Sequence, residues 1–402
     1  MIRPTSPLVA AGARPSIVCL ALVCASPLAH AVDAEPILRL DGGLTLTPTV
    51  SLSSTYDDNI RARDSGEEAS WISSVRPVLA FELPGDKVKS RLSYALDYKR
   101  YHASSRDDHT AHFVNAGSDL SFDVRNRLAL QLDYSRTQNT APDQQRVEND
   151  RPRQLDVGGT YTYGAPSATG QIRLSARESR LRYDNDTVVD GERLNADLER
   201  DSRTLGAAFL YRVAPTVQAV AEVRETSHSY LTEQSRDGDG RDLLLGAEWD
   251  VTAKTSGSLR VGRQQRRFDD SSVADRSGTT WALNMTWAPL TYSSFVFALR
   301  QAIDEGSDNA SAIRARSSSV DWRHEWTGRI ASTLGYQHAQ RDYVGANTDR
   351  NDTTDTYRVG LSYSPRRWMD VGLNYAHTRN DSNRSDQSYS RNTFGVTLTM
   401  GF

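Results

Sequence analysis

From Phe394 to Phe402 the chain alternates without a break. Phe394, Val396, Leu398, Met400 and Phe402 are apolar, and Gly395, Thr397, Thr399 and Gly401 are small or polar. The same two-residue period recurs in Leu128, Leu130, Leu132 and Tyr134, in Leu155, Val157, Gly159, Tyr161 and Tyr163, and in Leu243, Leu245, Ala247, Trp249 and Val251. It returns in Trp281, Leu283, Met285 and Trp287, in Tyr357, Val359, Leu361 and Tyr363, and in Val371, Leu373 and Tyr375. Successive side chains of a strand point to opposite faces, so each run predicts a strand of about 9–13 residues with one apolar face. No stripe of helical period competes. Eighteen such segments can be counted between residues 44 and 402.

The connections between them alternate in length. Short turns are expected at Pro84–Asp86, Arg125–Asn126, Gly164–Ala168, Ala214–Thr216, Thr252–Thr255, Ala288–Thr291, Thr327–Gly328 and Ser364–Arg367. Long polar loops are expected near 57–69, 102–109, 137–152, 184–200, 228–240, 268–277, 303–313, 341–354 and 379–389. Strict alternation puts every turn at one end of the strands and every loop at the other. This is the layout of an outer-membrane barrel, with an even strand number, short periplasmic turns and long external loops.

Aromatic residues mark the two ends. Phe81, Phe122, Tyr163, Tyr211, Trp249, Trp287, Trp326 and Tyr363 precede the short turns, and Phe402 takes the same place on the last strand. Tyr56, Trp71, Tyr98, Tyr134, Tyr183, Trp281, Tyr357 and Tyr375 form a second set near the loops. Rings that are apolar with a polar edge favour the membrane interface, so two sets predict two girdles. A soluble β-sandwich also alternates, but it does not explain the girdles or eighteen strands in one unit. The fold expected is an all-β, transmembrane, antiparallel up-and-down barrel of about 18 strands, closed by pairing the last strand with Leu44–Tyr56. A sheet exposed to lipid leaves no edge unpaired, because each unsatisfied backbone group costs several kcal/mol.

Composition adds the compartment. The chain is polar overall, with a mean hydropathy of −0.59. Residues 1–31 carry Arg3 and Arg14, an apolar run from Ile17 to Leu28 and the small-x-small sequence Ala29-His30-Ala31. These features predict a cleaved export signal. Both cysteines, Cys19 and Cys24, lie inside it and follow Val18 and Val23, so the exported chain is expected to hold no disulfide and no lipid anchor. Residues 32–43 would form a short periplasmic segment and 44–402 a single barrel, with both termini periplasmic. Acidic residues exceed basic ones, 51 to 48, and no basic patch interleaved with aromatics points to nucleic acid.

The face opposite the apolar one would line the lumen. It carries Arg76, Lys89, Arg91, Lys99, Arg173, Arg177, Arg224, Arg260, Arg300, Arg323, Arg341 and Arg358, together with Asp97, Asp119, Asp133, Asp156, Glu222, Glu248 and Asp321. Charged side chains around a hydrated passage can select a solute, and Arg–carboxylate pairs can equally brace the wall. Eighteen strands leave a lumen wide enough for water. Phase is least defined at Glu178–Arg182, Gln264–Arg267 and Ser317–Ser319, where polar residues interrupt the pattern.

No G-x-S-x-G, H-E-x-x-H, C-x-x-C or phosphate-loop motif occurs, so no catalytic residue, cofactor or metal is expected. Asp107, Asp108, His109 and His112 form the one acid–histidine grouping that could hold a metal or move a proton, and a solvated loop edge accounts for them as well.

One stretch, Ser51 to Asp64, reads SLSSTYDDNIRARD. Tyr56 is an interface anchor, and Asp57, Asp58 and Asn59 begin a turn. This YDDN after a first strand resembles the outer-membrane β-barrel (porin type 2) family encoded with exopolysaccharide and capsule synthesis systems. The resemblance extends over residues 40–402 in strand rhythm, Arg/Asp-rich loops and terminal Phe402. It implies passage of a secreted exopolysaccharide across the outer membrane. It also implies that Phe394, Val396, Leu398, Met400 and Phe402 form a signal read by the outer-membrane assembly machinery. Expected partners are outer-membrane lipid and lipopolysaccharide, that machinery, and periplasmic polysaccharide-export components. A diffusion porin for small anions or sugars, a surface adhesion or structural barrel, and an outer-membrane hydrolase remain alternatives.

Overall fold

The alternating segments form eighteen long strands. They are β1 (Thr45–Asp57), β2 (Ser70–Pro84), β3 (Val88–Tyr101), β4 (His109–Ser121), β5 (Asn126–Arg136), β6 (Pro152–Tyr163), β7 (Gly170–Tyr183), β8 (Arg200–Ala214) and β9 (Val217–Tyr230). They continue as β10 (Gly238–Thr252), β11 (Thr255–Phe268), β12 (Arg276–Leu290), β13 (Ser293–Glu305), β14 (Ala312–Thr327), β15 (Ile330–Val344), β16 (Asn351–Arg366), β17 (Met369–Ser382) and β18 (Tyr389–Gly401). The computed structural model describes residues 38–39, 43–140, 148–189, 192–252, 254–307, 310–345 and 348–402. The expected export signal, 1–31, and most of the segment 32–43 lie outside the described residues.

Each strand pairs antiparallel with the next, and β18 pairs with β1, so the sheet closes on itself. At the seam Tyr56 faces Phe394 and Leu52 faces Leu398. The amide of Phe402 donates to Pro48 O at 3.1 Å. Below it, Leu38 and Arg39 pair with Leu46 and Thr45 and extend the seam. Among the described residues no helix is long and apolar enough to cross a membrane, and the crossing elements are strands.

Apolar residues on the outward phase are exposed in the isolated chain, among them Leu52, Val75, Leu92, Leu130, Leu174, Phe209, Leu245, Val359 and Leu373. Lipid supplies their surroundings. Tyr163, Tyr211, Trp287, Trp326 and Tyr363 stand on the same face at the turn end, and Tyr56, Trp71, Tyr98, Tyr357 and Tyr375 stand on it toward the loops.

Three expectations change. The strands run to 11–16 residues, because the backbone ladder continues past the apolar band. Stretches expected in loops, such as His228–Tyr230 and Arg379–Ser382, are therefore strand. Second, the register shows no slip at the polar interruptions: β7 pairs with β8 without a break from Gly170 to Leu181. This puts Glu178 and Arg180 on the outward phase beyond the apolar band, as an ion pair. Third, the same parity turns Tyr183 to the interior, so it does not belong to the outer girdle.

Candidate functional site

Every charged residue expected on the lumen face does lie on the interior phase. The interior wall divides into two sectors.

In the first sector, five side chains form one charged chain. Arg173 of β7 grips Glu248 of β10 through both terminal nitrogens, at 2.9 and 3.2 Å. Arg260 of β11 also bonds Glu248 and reaches Glu222 of β9 at 3.0 Å. Arg224 donates Nε to Glu222 at 2.6 Å. Ala208 stands between Arg173 and Glu222 in the cross-strand register, and its small side chain leaves room for these long ones. Ala208, Leu210 and Val220 form a buried apolar patch in the same sector.

Further pairs brace the wall. Arg177 bonds Asp156 at 3.2 Å and Lys99 approaches Asp97 at 3.7 Å. Ser74 also donates to Asp97 at 2.5 Å. Asn115 and Gln131 donate to Asp133 at 2.7 and 2.5 Å. Arg300 bonds Asp304 and Arg323 bonds Glu325 within their own strands. Arg358 reaches Asp321 at 3.0 Å, two strands away. Gly335 lies between them, where a Cβ would stand 2.5 Å from the Asp321 carboxylate, so this glycine makes the crossing possible. Arg76 lies 5.3 Å over the Phe113 ring, a cation–π contact. Arg91 stands opposite Gly117.

The second sector, around β16, β17, β18 and β1, presents hydroxyls and amides. Ser51 and Thr399 hydroxyls meet at 3.0 Å, Thr356 and Thr378 at 3.2 Å, and Thr354 donates to Asn380 at 2.6 Å. Thr47, Thr49, Ser53, Thr55, Thr393 and Thr397 share this face.

At the loop end the wall bends inward. Pairing of β12 with β13 stops at Trp281–Gln301, although β12 continues to Arg276. There β13 turns across the interior, and Ile303 exchanges two bonds with the Gln264 side chain of β11, at 2.7 and 3.1 Å. Glu305 then meets Tyr230 at 2.5 Å and His228 and Arg266 at 3.1 Å. This lean carries the end of β13 over the interior face of β11. It was not legible in the sequence, because Gln264 and Ile303 are 39 positions apart and carry no motif.

Loops 58–69, 102–108 and 137–151 are joined by another group that sequence reasoning missed. Arg61 bonds both oxygens of Asp107 at 2.9 and 2.8 Å, and Asn149 donates to Asp107 at 2.7 Å. Asp107 is wholly buried and Arg61 5% exposed. Burial pushes the Asp107 carboxyl up, but hydrogen bonds from Ser104, Asn149 and Arg61, with the Arg61 charge, hold it below the usual range. Glu148 carries the link onward, accepting the amides of Asp186 and Thr187 at 3.0 and 2.9 Å.

This arrangement dissolves the acid–histidine grouping. Asp107 is committed to Arg61, and His109 faces its backbone oxygen at 2.7 Å. His112 points to the outer face, where it meets Tyr94 at 2.9 Å. The histidines lie on opposite faces of β4 and do not converge. The YDDN stretch proves to be a fastening. Asp57 is fully buried against Arg391, Asp58 accepts from the Asn392 amide at 2.7 Å, and Asn59 donates to Ser390 O at 2.9 Å.

The chain is similar to solved outer-membrane proteins. OccK2 (OpdF) of Pseudomonas aeruginosa superposes with a TM-score of 0.50 at 12% identity, covering 89% of this chain and 98% of that one. The outer membrane protein opdK of the same organism gives 0.48 at 12% identity, with 89% and 99% covered. OccAB4 of Acinetobacter baumannii gives 0.47 at 12% identity, with 89% and 98% covered. At such identities the likeness to OccK2 shows the fold alone. No curated relative matches the chain. The family described as "Putative beta-barrel porin 2" matches residues 40–402, the whole of the closed barrel. The chain therefore belongs to that family of outer-membrane β-barrel porins.

Proposed function

We propose that this barrel is a passive, non-enzymatic channel that carries a secreted exopolysaccharide strand outward, with its turn end and both termini in the periplasm and its loops outside. The supporting observation is the division of the interior wall. The Arg173–Glu248–Arg260–Glu222–Arg224 chain lies in one sector and a hydroxyl and amide strip around Ser51, Thr399, Thr378 and Asn380 in the other. A glycan exchanges hydrogen bonds with both kinds of surface without being trapped by either, and conduction requires binding of that modest kind. Periplasmic export components would supply direction. Outer-membrane lipid and lipopolysaccharide would surround the apolar face. The outward row Phe394, Val396, Leu398, Met400 and Phe402 would present the assembly signal.

The test is secreted and periplasmic polysaccharide in a strain lacking the gene. External polymer is expected to fall while polymer or its fragments build up inside. Unchanged pools would reject export. A second reading, a diffusion porin for small anions or sugars, is favoured by the inward lean of β13 at Ile303, which carries the end of that strand over the interior face of β11. Steady bilayer conductance blocked by small sugars or acids, with polymer pools unchanged, would select it.

A further inference from the structure

We infer that the turn end of the barrel holds a binding site for the carboxylate groups of an acidic glycan, built on Arg127 and Arg212 around the connection 164–169. The inference rests on the channel reading above and names the chemistry that enters.

The connection 164–169 is the longest at the turn end, six residues where others have two to four. Interior side chains hold its carbonyls. Arg127 donates to Gly164 O at 3.1 Å, Arg212 to Ala168 O at 3.3 Å and to Pro166 O, and Gln171 to Ala165 O at 2.8 Å. Arg212 also donates to Pro215 O at 2.5 Å. The segment is thereby drawn against the interior face at the mouth, with the two guanidiniums on either side of it.

Among the described residues neither guanidinium meets a carboxylate. Elsewhere on the wall Arg173, Arg177, Arg224, Arg260 and Arg358 are paired with acids, whereas Arg76 lies over the Phe113 ring. Arg127 and Arg212 have only carbonyls, and Arg127 Nε is buried with no hydrogen-bond partner. Carbonyl dipoles satisfy N–H groups but do not cancel a charge. Arg173 shares a cross-strand row with Arg127 across Thr162, and its charge repels that of Arg127. Two uncancelled cations at one mouth of a hydrated passage attract an anion.

The loop end has the opposite sign. Segment 184–199 holds six acids against Arg193 alone, and 269–275 holds three aspartates and no base. A chain bearing carboxylates is therefore held at the turn end and meets a barrier at the loop end, so its outward direction would come from the periplasmic export components.

The test uses the purified full-length barrel in planar bilayers. Oligogalacturonate is added to the turn-end chamber, and its half-blocking concentration is compared with that of neutral maltooligosaccharide of equal length. Wild type is expected to be blocked by the acidic oligomer at about tenfold lower concentration, an advantage that salt screening removes near 1 M. The advantage should vanish in R127Q/R212Q and persist in R127K/R212K. An equal advantage in R127Q/R212Q would overturn the site and leave the arginines as braces of the connection. So would a wild-type advantage that 1 M salt does not reduce, a result that needs no variant to fold. Because the oligomer is supplied, failure here is distinct from failure of the export reading, which the deletion strain decides.

Discussion

Asp57 and Arg391 lie 334 positions apart and form a charged pair across the closing seam. Arg391 Nε stands 3.0 and 2.9 Å from the two carboxylate oxygens, and Asp57 is fully buried. The same carboxylate accepts the amide of Asn59 at 3.0 Å, so the first loop is fixed to the last strand at the point where the barrel closes. Closure leaves no unpaired edge, and a pair whose carboxylate is buried at the seam fastens the first loop there.

Asp57→Asn should weaken the seam. Arg391 keeps part of its side chain in solvent, so loss of its charged partner should cost about 1–3 kcal/mol, less than for a fully buried pair. The folded barrel in detergent should convert to the unfolded band on electrophoresis at a lower temperature, whereas Glu178→Gln, which alters an exposed pair, should not shift it. Equal heat resistance of both variants would remove the seam role.

Asp107 predicts how the loops respond to acid. Its folded carboxyl sits below the unfolded value, which is about 3.9. Its contribution is therefore complete above about pH 4 and is lost as pH falls through the lower, folded value. Protease protection of segments 58–69 and 148–151 should hold at pH 5 and fail in stronger acid. In Asp107→Asn protection should already be poor at pH 7. A wild-type loss of protection near pH 6 would contradict the assignment.

Glu248 holds both Arg173 and Arg260. Glu248→Gln leaves two guanidiniums with one carboxylate fewer, so the reversal potential in a salt gradient should move toward anions, by about twofold in permeability ratio. Folding should survive, because the group faces a hydrated passage. No change in selectivity would show that the permeating ions do not pass this part of the wall.

Gly335 separates Asp321 from Arg358. In Gly335→Ala the new methyl would meet the Asp321 carboxylate, which must swing away and release Arg358. Single-channel conductance should change while heat resistance stays near wild type. If Asp321→Asn in the Gly335→Ala background produces a further shift as large as in wild type, the pair was never broken.

The two-residue period in segments such as Leu128–Tyr134 and Phe394–Phe402 was enough to determine the number of strands, their antiparallel order and the phase of wall arginines such as Arg173, Arg260 and Arg358, though it did not single out Arg127 or Arg212. A strand has one degree of freedom in facing, and lipid on one side makes the apolar residues reveal it. The same signal fades where both faces meet water, which is why His228–Tyr230 read as loop and Tyr183 read as outward. Only the tertiary structure decided which charges meet. Arg173 and Glu248, Arg61 and Asp107, and Asp57 and Arg391 are joined by barrel curvature and closure, and no local pattern records a partner that lies 46, 75 or 334 positions away. The inward turn of β13 at the loop end and the placing of Arg127 and Arg212 against the connection 164–169 at the turn end belong to that second class, because they depend on which side chains the closed sheet brings to each mouth.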